Sequence, residues 1–249
     1  GFRIAEKYNL EITKYQIEKN KLVSGATYSV TDTETGESKT GVTNAQGKLT
    51  ITNLYAEKEY EIKEINSPDD YEINGNVIRF IAHVDEEGKL SIEKVEGTTK
   101  GEIKVEKNEG EDYKVTVEVE DEVKASIKIL KKEKETETAI QGVRFKLTGY
   151  NISENGRSLT TNTNGEIIFN GISINQEYTL QEVKAEGYYL ANPIKFKIVN
   201  ENGTYSMQII EGEIKTQTTI EEDSIPTINV TIEDEKIPTY DLQIIKVKK

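Results

Sequence analysis

Residues 113–121 read YKVTVEVED, from Tyr113 to Asp121. Val115, Val117 and Val119 recur at every second position, the period of a β-strand with one buried face. The same parity carries Asp121 onto that apolar face. Residues 228–234, INVTIED, repeat the design, with Ile228, Val230 and Ile232 leading to Asp234. An acid at the inner end of an apolar row is an expensive placement unless it is paired or neutralised. Its occurrence twice makes the rest of the chain worth reading for a second copy of everything.

The copies are there. TNAQGKLTITNL (Thr43 to Leu54) matches TNTNGEIIFNGI (Thr161 to Ile172), and EYEIKE (Glu59 to Glu64) matches EYTLQE (Glu177 to Glu182), both at an offset of 118 residues. SGATYSV around Gly25 matches QGVRFKL around Gly142 at 117, and VEVEDE ending at Glu122 matches VTIEDE ending at Glu235 at 113. Matches in one order at nearly one offset indicate tandem homologous domains, assigned to residues 8–121 and 122–236. RIAEKYNLEITK (Arg3 to Lys14) also resembles KIPTYDLQIIK (Lys236 to Lys246). Residues 1–7 are therefore expected to be a tail from a preceding repeat or linker. Residues 237–249 are expected to be a linker and the first strand of a truncated third repeat. The start at Gly1 rather than Met fits a piece excised from a longer array.

Alternation at period two continues through LEITK, ASIKILK, YEIKE and YTLQE. Turn signals separate the strands: TETG, NAQG, DEEG, NEGED, NTNG and NENG. Long helical periods are missing, although a few turns of helix are conceivable near Tyr15–Leu22 or Ile65–Asp70. The predicted fold is all-β, as two tandem Ig-like or prealbumin-like β-sandwiches.

Composition removes several functions. With no Cys there is no disulfide and no thiolate chemistry, and a single His, His83, cannot build a multi-histidine metal site. A net charge of −13 argues against nucleic acid and anionic membranes as partners. No stretch approaches a membrane span. No cofactor or metal is expected: the Asp69–Asp70 turn lacks EF-hand spacing. His83, alternating with Ile81, reads as a strand residue with no special role.

Parity then picks out more than the two aspartates. Leu10 and Ile12 share a face with Lys14, and Tyr60 and Ile62 share one with Glu64. In the second copy Ile127 and Ile129 lead to Lys131, and Tyr178 and Leu180 lead to Glu182. A Lys, a Glu and an Asp set inward in both copies imply one buried constellation per domain. The alternative for any one of them is a strand end turning to solvent.

These features resemble the collagen-adhesin B-type domain (CnaB-like, also called SpaA-type or prealbumin-like) of Gram-positive surface proteins. The family pattern has a strand Lys, a loop and Gly-Ala-x-Phe. Here Lys14 precedes Gly25-Ala26-Thr27-Tyr28, and Lys131 precedes Gly142-Val143-Arg144-Phe145, both at a spacing of eleven to the Gly. A T-x-x-x-G turn follows at Thr43–Gly47 and Thr161–Gly165. Then comes Y-x-L-x-E-x-x-A-P-x-G-Y, as Tyr60, Ile62, Glu64, Ser67-Pro68 and Tyr71, and as Tyr178, Leu180, Glu182, Ala185 and Gly187-Tyr188. The first copy lacks the Gly. The second lacks the Pro and is one residue short unless Tyr189 fills the last place.

The resemblance implies a spontaneous intramolecular isopeptide bond in each domain, Lys14–Asp121 assisted by Glu64 and Lys131–Asp234 assisted by Glu182. Asp112 and Glu122, or Glu233 and Glu235, lie close to the acceptor positions, but parity favours Asp121 and Asp234. The chemistry is reasonable, because burial favours the neutral forms of an amine and a carboxylic acid, which are the nucleophile and the electrophile of amide formation. A staple closing a loop of about 100 residues would add roughly 4–5 kcal/mol by restricting the unfolded chain. The implied function is a structural stalk or spacer module of a Gram-positive surface adhesin, extracellular and attached to the cell wall through an anchor elsewhere. It would be monomeric, flanked by neighbouring repeats of its own chain and stiff through its short interdomain link, and it would be no enzyme beyond one turnover per domain. The alternatives are an adhesin region binding a host protein or glycan, and a pilin subunit domain, although no pilin-linking motif or sorting signal is seen. A hydrolase using Glu64 and Asp121 accounts poorly for the accompanying Lys in both copies.

Overall fold

A computed structural model describes residues 6–18, 21–95, 102–107 and 113–248. Most of the tail assigned to residues 1–7, together with the NEGED turn and Asp112, lies outside these. The chain forms two compact units, Gly1–Lys124 and Ala125–Lys249.

The first unit contains β1 (Lys7–Gln16), β2 (Thr27–Asp32), β3 (Ser38–Val42), β4 (Lys48–Tyr55), β5 (Glu59–Asn66), β6 (Val77–Val84), β7 (Leu90–Lys94), β8 (Glu102–Lys107) and β9 (Tyr113–Asp121). The second contains β10 (Ala125–Glu133), β11 (Arg144–Gly149), β12 (Arg157–Thr160), β13 (Glu166–Ile172), β14 (Tyr178–Lys184), β15 (Ile194–Glu201), β16 (Thr204–Glu211), β17 (Thr216–Glu222) and β18 (Ile225–Asp234). Each unit is a sandwich of a four-stranded and a five-stranded sheet. The sheet orders are β4-β1-β9-β8 and β3-β2-β5-β6-β7 in the first, and β13-β10-β18-β17 and β12-β11-β14-β15-β16 in the second. The two topologies agree strand for strand, as the sequence repeat requires.

Strand alternation builds the core. Along β9 the side chains of Val115, Val117, Val119 and Asp121 are buried, and along β18 those of Ile228, Val230, Ile232 and Asp234. In the first unit they pack with Leu10 and Ile12 of β1 against Tyr28, Val30, Ile62 and Phe80 of the facing sheet. Each such aliphatic side chain contributes about 1.5–3 kcal/mol by leaving water. The Tyr8 ring sits edge-on to Tyr60 and Phe80, with centroids 6.4 and 6.3 Å away. In the second unit Tyr178 stacks on Phe196 at 5.8 Å. Tyr60 and Tyr178 also fix the preceding turn, each hydroxyl accepting the backbone N–H five residues upstream, from Tyr55 at 3.1 Å and from Ser173 at 3.0 Å.

The first and last strands of each unit, β1 with β9 and β10 with β18, are adjacent and parallel. A parallel pair needs a long connection, and here the remaining strands of the unit supply it. The two ends of each domain are thereby brought side by side in the middle of one sheet.

The described residues contain no helix. Tyr15 and Gln16 complete β1 before a turn, with Tyr15 bridged to Leu22, and Ile65 and Asn66 complete β5. Among the described residues neither stretch where helical turns were conceivable is helical, because each is partly taken up by the end of a strand. Residues 237–248 form no strand, and Leu242 and Ile244 there are 85% and 83% exposed.

Candidate functional site

In the first unit Lys14 stands opposite Val119, and Asp121 stands opposite Gln16. Lys14 and Asp121 are thus diagonal neighbours on one face of the sheet, and the long Lys stem closes the diagonal. Its Nζ lies 2.7 Å from Asp121 Oδ2. From the facing sheet, β5 brings Glu64 Oε1 to 3.0 Å from the same nitrogen. All three side chains are sealed from solvent. The second unit repeats the arrangement. Lys131 stands opposite Ile232, two residues short of Asp234. Lys131 Nζ pairs with Asp234 Oδ1 and lies 2.7 Å from Glu182 Oε2, again with no solvent contact. The structure therefore brings the six residues singled out by parity together as two triads.

Neighbouring acids are placed elsewhere. Glu233 faces outward and pairs with Lys215, and Glu235 is exposed. Glu122 is half-buried beyond the end of β9, with its carboxyl pKa pushed up by burial.

The sequence motifs explain how each Lys is held. Gly47 and Gly165, which close the T-x-x-x-G turns, have φ of +68° and +74°. Their carbonyls accept the N–H of Lys14 and of Lys131, each at 2.8 Å. A Cβ at these glycines would lie 2.9 Å from the Lys14 carbonyl oxygen and 2.6 Å from that of Lys131. The turn thus needs glycine for both its φ and its close approach to the site strand. The Thr at the other end of the motif anchors the Lys-to-Gly loop. Thr43 Oγ1 donates to the Val23 carbonyl at 2.8 Å and accepts the Ala26 N–H at 3.0 Å. Thr161 does the same with Ile140 at 2.7 Å and Val143 at 2.9 Å. Each Glu sits beside a break in strand register, between Thr27 and Tyr28 in one unit and Arg144 and Phe145 in the other. Such bulges re-aim a side chain.

The Tyr that ends the family motif closes the open end of each unit. Tyr71 donates to Gln16 Oε1 at 2.9 Å and bridges to Val123, and Tyr188 donates to Glu133 Oε2 at 2.7 Å and bridges to Lys236. Tyr188 therefore fills this place, and Tyr189 is 54% exposed.

Three ionised groups in such a site would leave one negative charge unbalanced, so a proton is favoured on one carboxyl. Burial pushes Asp121 up to about 6, against the pull of Lys14 and with the help of Glu64. Burial likewise pushes Glu182 up to about 7. Both oxygens of Glu182 and Oδ2 of Asp234 are buried without a hydrogen-bond partner. A proton on Glu182 supplies a donor toward Asp234.

Sequence reasoning missed the residues surrounding the first triad. Tyr28 OH accepts a hydrogen bond from Lys14 Nζ at 2.7 Å, Ser67 Oγ donates to Asp121 Oδ2 at 3.2 Å, and the Asn74 N–H donates to Glu64 Oε2 at 2.5 Å. Tyr28 occupies the Phe place of Gly-Ala-x-Phe, which was the available signal. His83, on the other hand, is no bare strand residue. Nδ1 lies 2.7 Å from Glu57 Oε2 and Nε2 lies 2.6 Å from Glu93 Oε2, and these two acids raise its pKa.

A family profile described as a prealbumin-like fold domain matches residues 8–98 and 125–213. The chain belongs to the SpaA family of prealbumin-like fold domains. The SpaA match carries Lys14, Glu64, Lys131 and Glu182 but ends before Asp121 and Asp234, so the aspartates rest on parity and on the structure. A point mutant of the shaft pilin SpaA from Lactobacillus rhamnosus GG is 13% identical, with 94% of this chain and all of that one covered and a TM-score of 0.50. A C-terminal fragment of the pilus adhesin SpaC from the same organism is 16% identical, with 95% and 100% covered and a TM-score of 0.42. The Bacillus anthracis TIE protein is 20% identical over 93% of this chain and 34% of its own, with a TM-score of 0.34. At 13% identity the likeness to the shaft pilin is one of fold. No curated protein matches the sequence.

Proposed function

We propose that the chain is a structural stalk module of a Gram-positive surface adhesin, with each domain closed by a spontaneous Lys–Asp isopeptide bond. The supporting observation is the duplicated triad, in which an amine meets a carboxyl and a second carboxyl in a site buried from solvent. The fold supplies proximity in place of chemical activation of the acid. A proton of the Lys ammonium passes to the Glu, and Nζ attacks Cγ of the Asp. The Glu returns that proton to an oxygen of the Asp and then relays a second proton from Nζ to the same oxygen, which departs as water. Ammonium and carboxylate become amide and water, with nothing else consumed. Lys14 and Lys131 are the nucleophiles, Asp121 and Asp234 the acceptors, and Glu64 and Glu182 the proton carriers.

The similar pilus proteins of a Gram-positive organism support an extracellular place on the cell wall, with neighbouring repeats of the same chain as the nearest partners. Residues 237–249 belong to this picture as a linker and the first strand of a further repeat, which accounts for the exposed Leu242 and Ile244.

Intact-mass measurement tests the reaction. Each bond lowers the mass by about 18 Da, the water lost in forming the amide, so the two together lower it by about 36 Da. Glu64→Ala and Glu182→Ala should each restore one increment, and an unshifted wild-type mass would exclude the cross-links.

A further inference from the structure

The two triads differ at one position in contact with the reacting nitrogen. Tyr28 and Phe145 hold the same place, each opposite the site Glu in the neighbouring strand. Both rings lie under the Lys nitrogen, with centroids at 5.1 Å from Lys14 Nζ and 5.6 Å from Lys131 Nζ. The difference is the Tyr28 hydroxyl, which gives Lys14 a hydrogen-bond acceptor at 2.7 Å.

We propose that the Tyr28 hydroxyl slows cross-linking in the first domain by holding Lys14 Nζ in a hydrogen bond that must break before Nζ can attack, so that the second domain closes first. The inference rests on the reading of both triads as cross-linking sites.

An ammonium has three N–H donors and no lone pair. Tyr28 OH accepts one from Lys14, and Glu64 Oε1 and Asp121 Oδ2 lie within ion-pair distance of the same nitrogen. Lys131 donates to Asp234, has Glu182 Oε2 within ion-pair distance, and has the Phe145 ring where Lys14 has the Tyr28 ring and hydroxyl, a weaker partner for a cation than an oxygen acceptor. Before Nζ can attack, it must give up one proton and turn its lone pair to the carboxyl carbon. In the first domain that step also disrupts a hydrogen bond to a charged donor, which is among the stronger kinds. Burial, followed by Glu64 and Asp121, raises the Tyr28 pKa, so its oxygen remains a neutral acceptor and does not take the proton itself.

A further contact acts in the same direction. Ser67 donates to Asp121 and favours its ionised carboxylate, and the Asn74 N–H donates to Glu64 Oε2 and holds it in place. In the second domain Ala185 lies three residues after Glu182, as Ser67 lies three after Glu64, and offers no such donor.

The test follows both bonds in the full chain. Protein is made by cell-free synthesis in the cold, quenched in acid at intervals and digested, and the Lys14–Asp121 and Lys131–Asp234 cross-linked peptides are quantified by mass spectrometry. In wild type the Lys131–Asp234 peptide should appear first. Tyr28→Phe should speed the Lys14–Asp121 bond by about tenfold, the scale of one charge-assisted hydrogen bond. Phe145→Tyr should slow the other bond by a similar factor. A loss of packing at Tyr28 would instead slow the first bond, so the sign separates the two explanations. The proposal is overturned if Tyr28→Phe leaves the Lys14–Asp121 rate unchanged or lowers it while both bonds still form. If neither cross-linked peptide appears in any variant, the cross-linking reading itself fails and takes the inference with it.

Discussion

Lys131 faces Glu182 and Asp234 with one positive charge between two acids, in a site closed to water. Removing that charge exposes how costly the acids are. Lys131→Met keeps a straight side chain of similar length and prevents the cross-link. Burial already pushes Glu182 up from 4.5 to about 7 while Lys131 opposes it. Without the cation the opposition is gone, and the folded-state value can only rise. A carboxyl whose folded pKa lies above its unfolded one takes up a proton on folding, so it favours the folded state at low pH. That advantage is lost as pH rises from near 4.5 through the folded value. Lys131→Met should therefore be less stable at pH 8 than at pH 5, by roughly 3 kcal/mol, as read from denaturant unfolding of the second domain. Equal stability at the two pH values would mean that the acids are not buried as the structure places them.

At the scale of the element, the site depends on turns that never touch its reacting atoms. The Gly165 carbonyl holds the Lys131 N–H, and a Cβ at Gly165 would press on the Lys131 carbonyl at 2.6 Å. Gly165→Ala should cost about 1–3 kcal/mol, the usual scale of a non-glycine residue forced into this backbone region against a neighbour. The displaced β10 should also delay the Lys131–Asp234 bond while leaving Lys14–Asp121 untouched, which the cross-linked peptides of each domain would report. The same elements show what could be read from sequence. Period-two alternation runs unbroken along β9 and β18, so the inward placement of Asp121 and Asp234 was visible in a dozen residues, and so was that of Lys14 and Lys131. Duplication supplied the domain plan. The sheet order was not visible, because the pairing of β1 with β9 joins segments about a hundred residues apart and leaves no local trace. Tyr28 was missed for a related reason. Whether its hydroxyl reaches Lys14 depends on how the second sheet packs over the first and on the register break beside Glu64, and neither is written in the spacing of β2.

At the scale of the whole molecule, the parallel pairing of first and last strands decides how each domain would carry tension. A pull on the N-terminal end of β1 and on the C-terminal end of β9 shears the two strands past each other. With the Lys14–Asp121 bond in place, force runs along β1 to Lys14, crosses the amide and leaves at Asp121, two residues before Val123 and the exit from the unit. Residues 15–120 lie outside that path, and residues 132–233 lie outside the corresponding path through Lys131 and Asp234. Each staple would thus withhold about 350 Å of chain from extension, at 3.3–3.6 Å per residue. Hydrogen bonds and buried side chains rupture under load while a covalent amide holds, so the bonded domains should be nearly inextensible whatever the stability of their cores. Single-molecule stretching of the full chain checks this. Wild type should lengthen without any step of domain size. Glu64→Ala should show one step, of about 350 Å less the folded end-to-end distance, and Glu64→Ala combined with Glu182→Ala should show two. Two domain-sized steps from wild type would exclude the covalent load path and leave the triads as buried ion pairs.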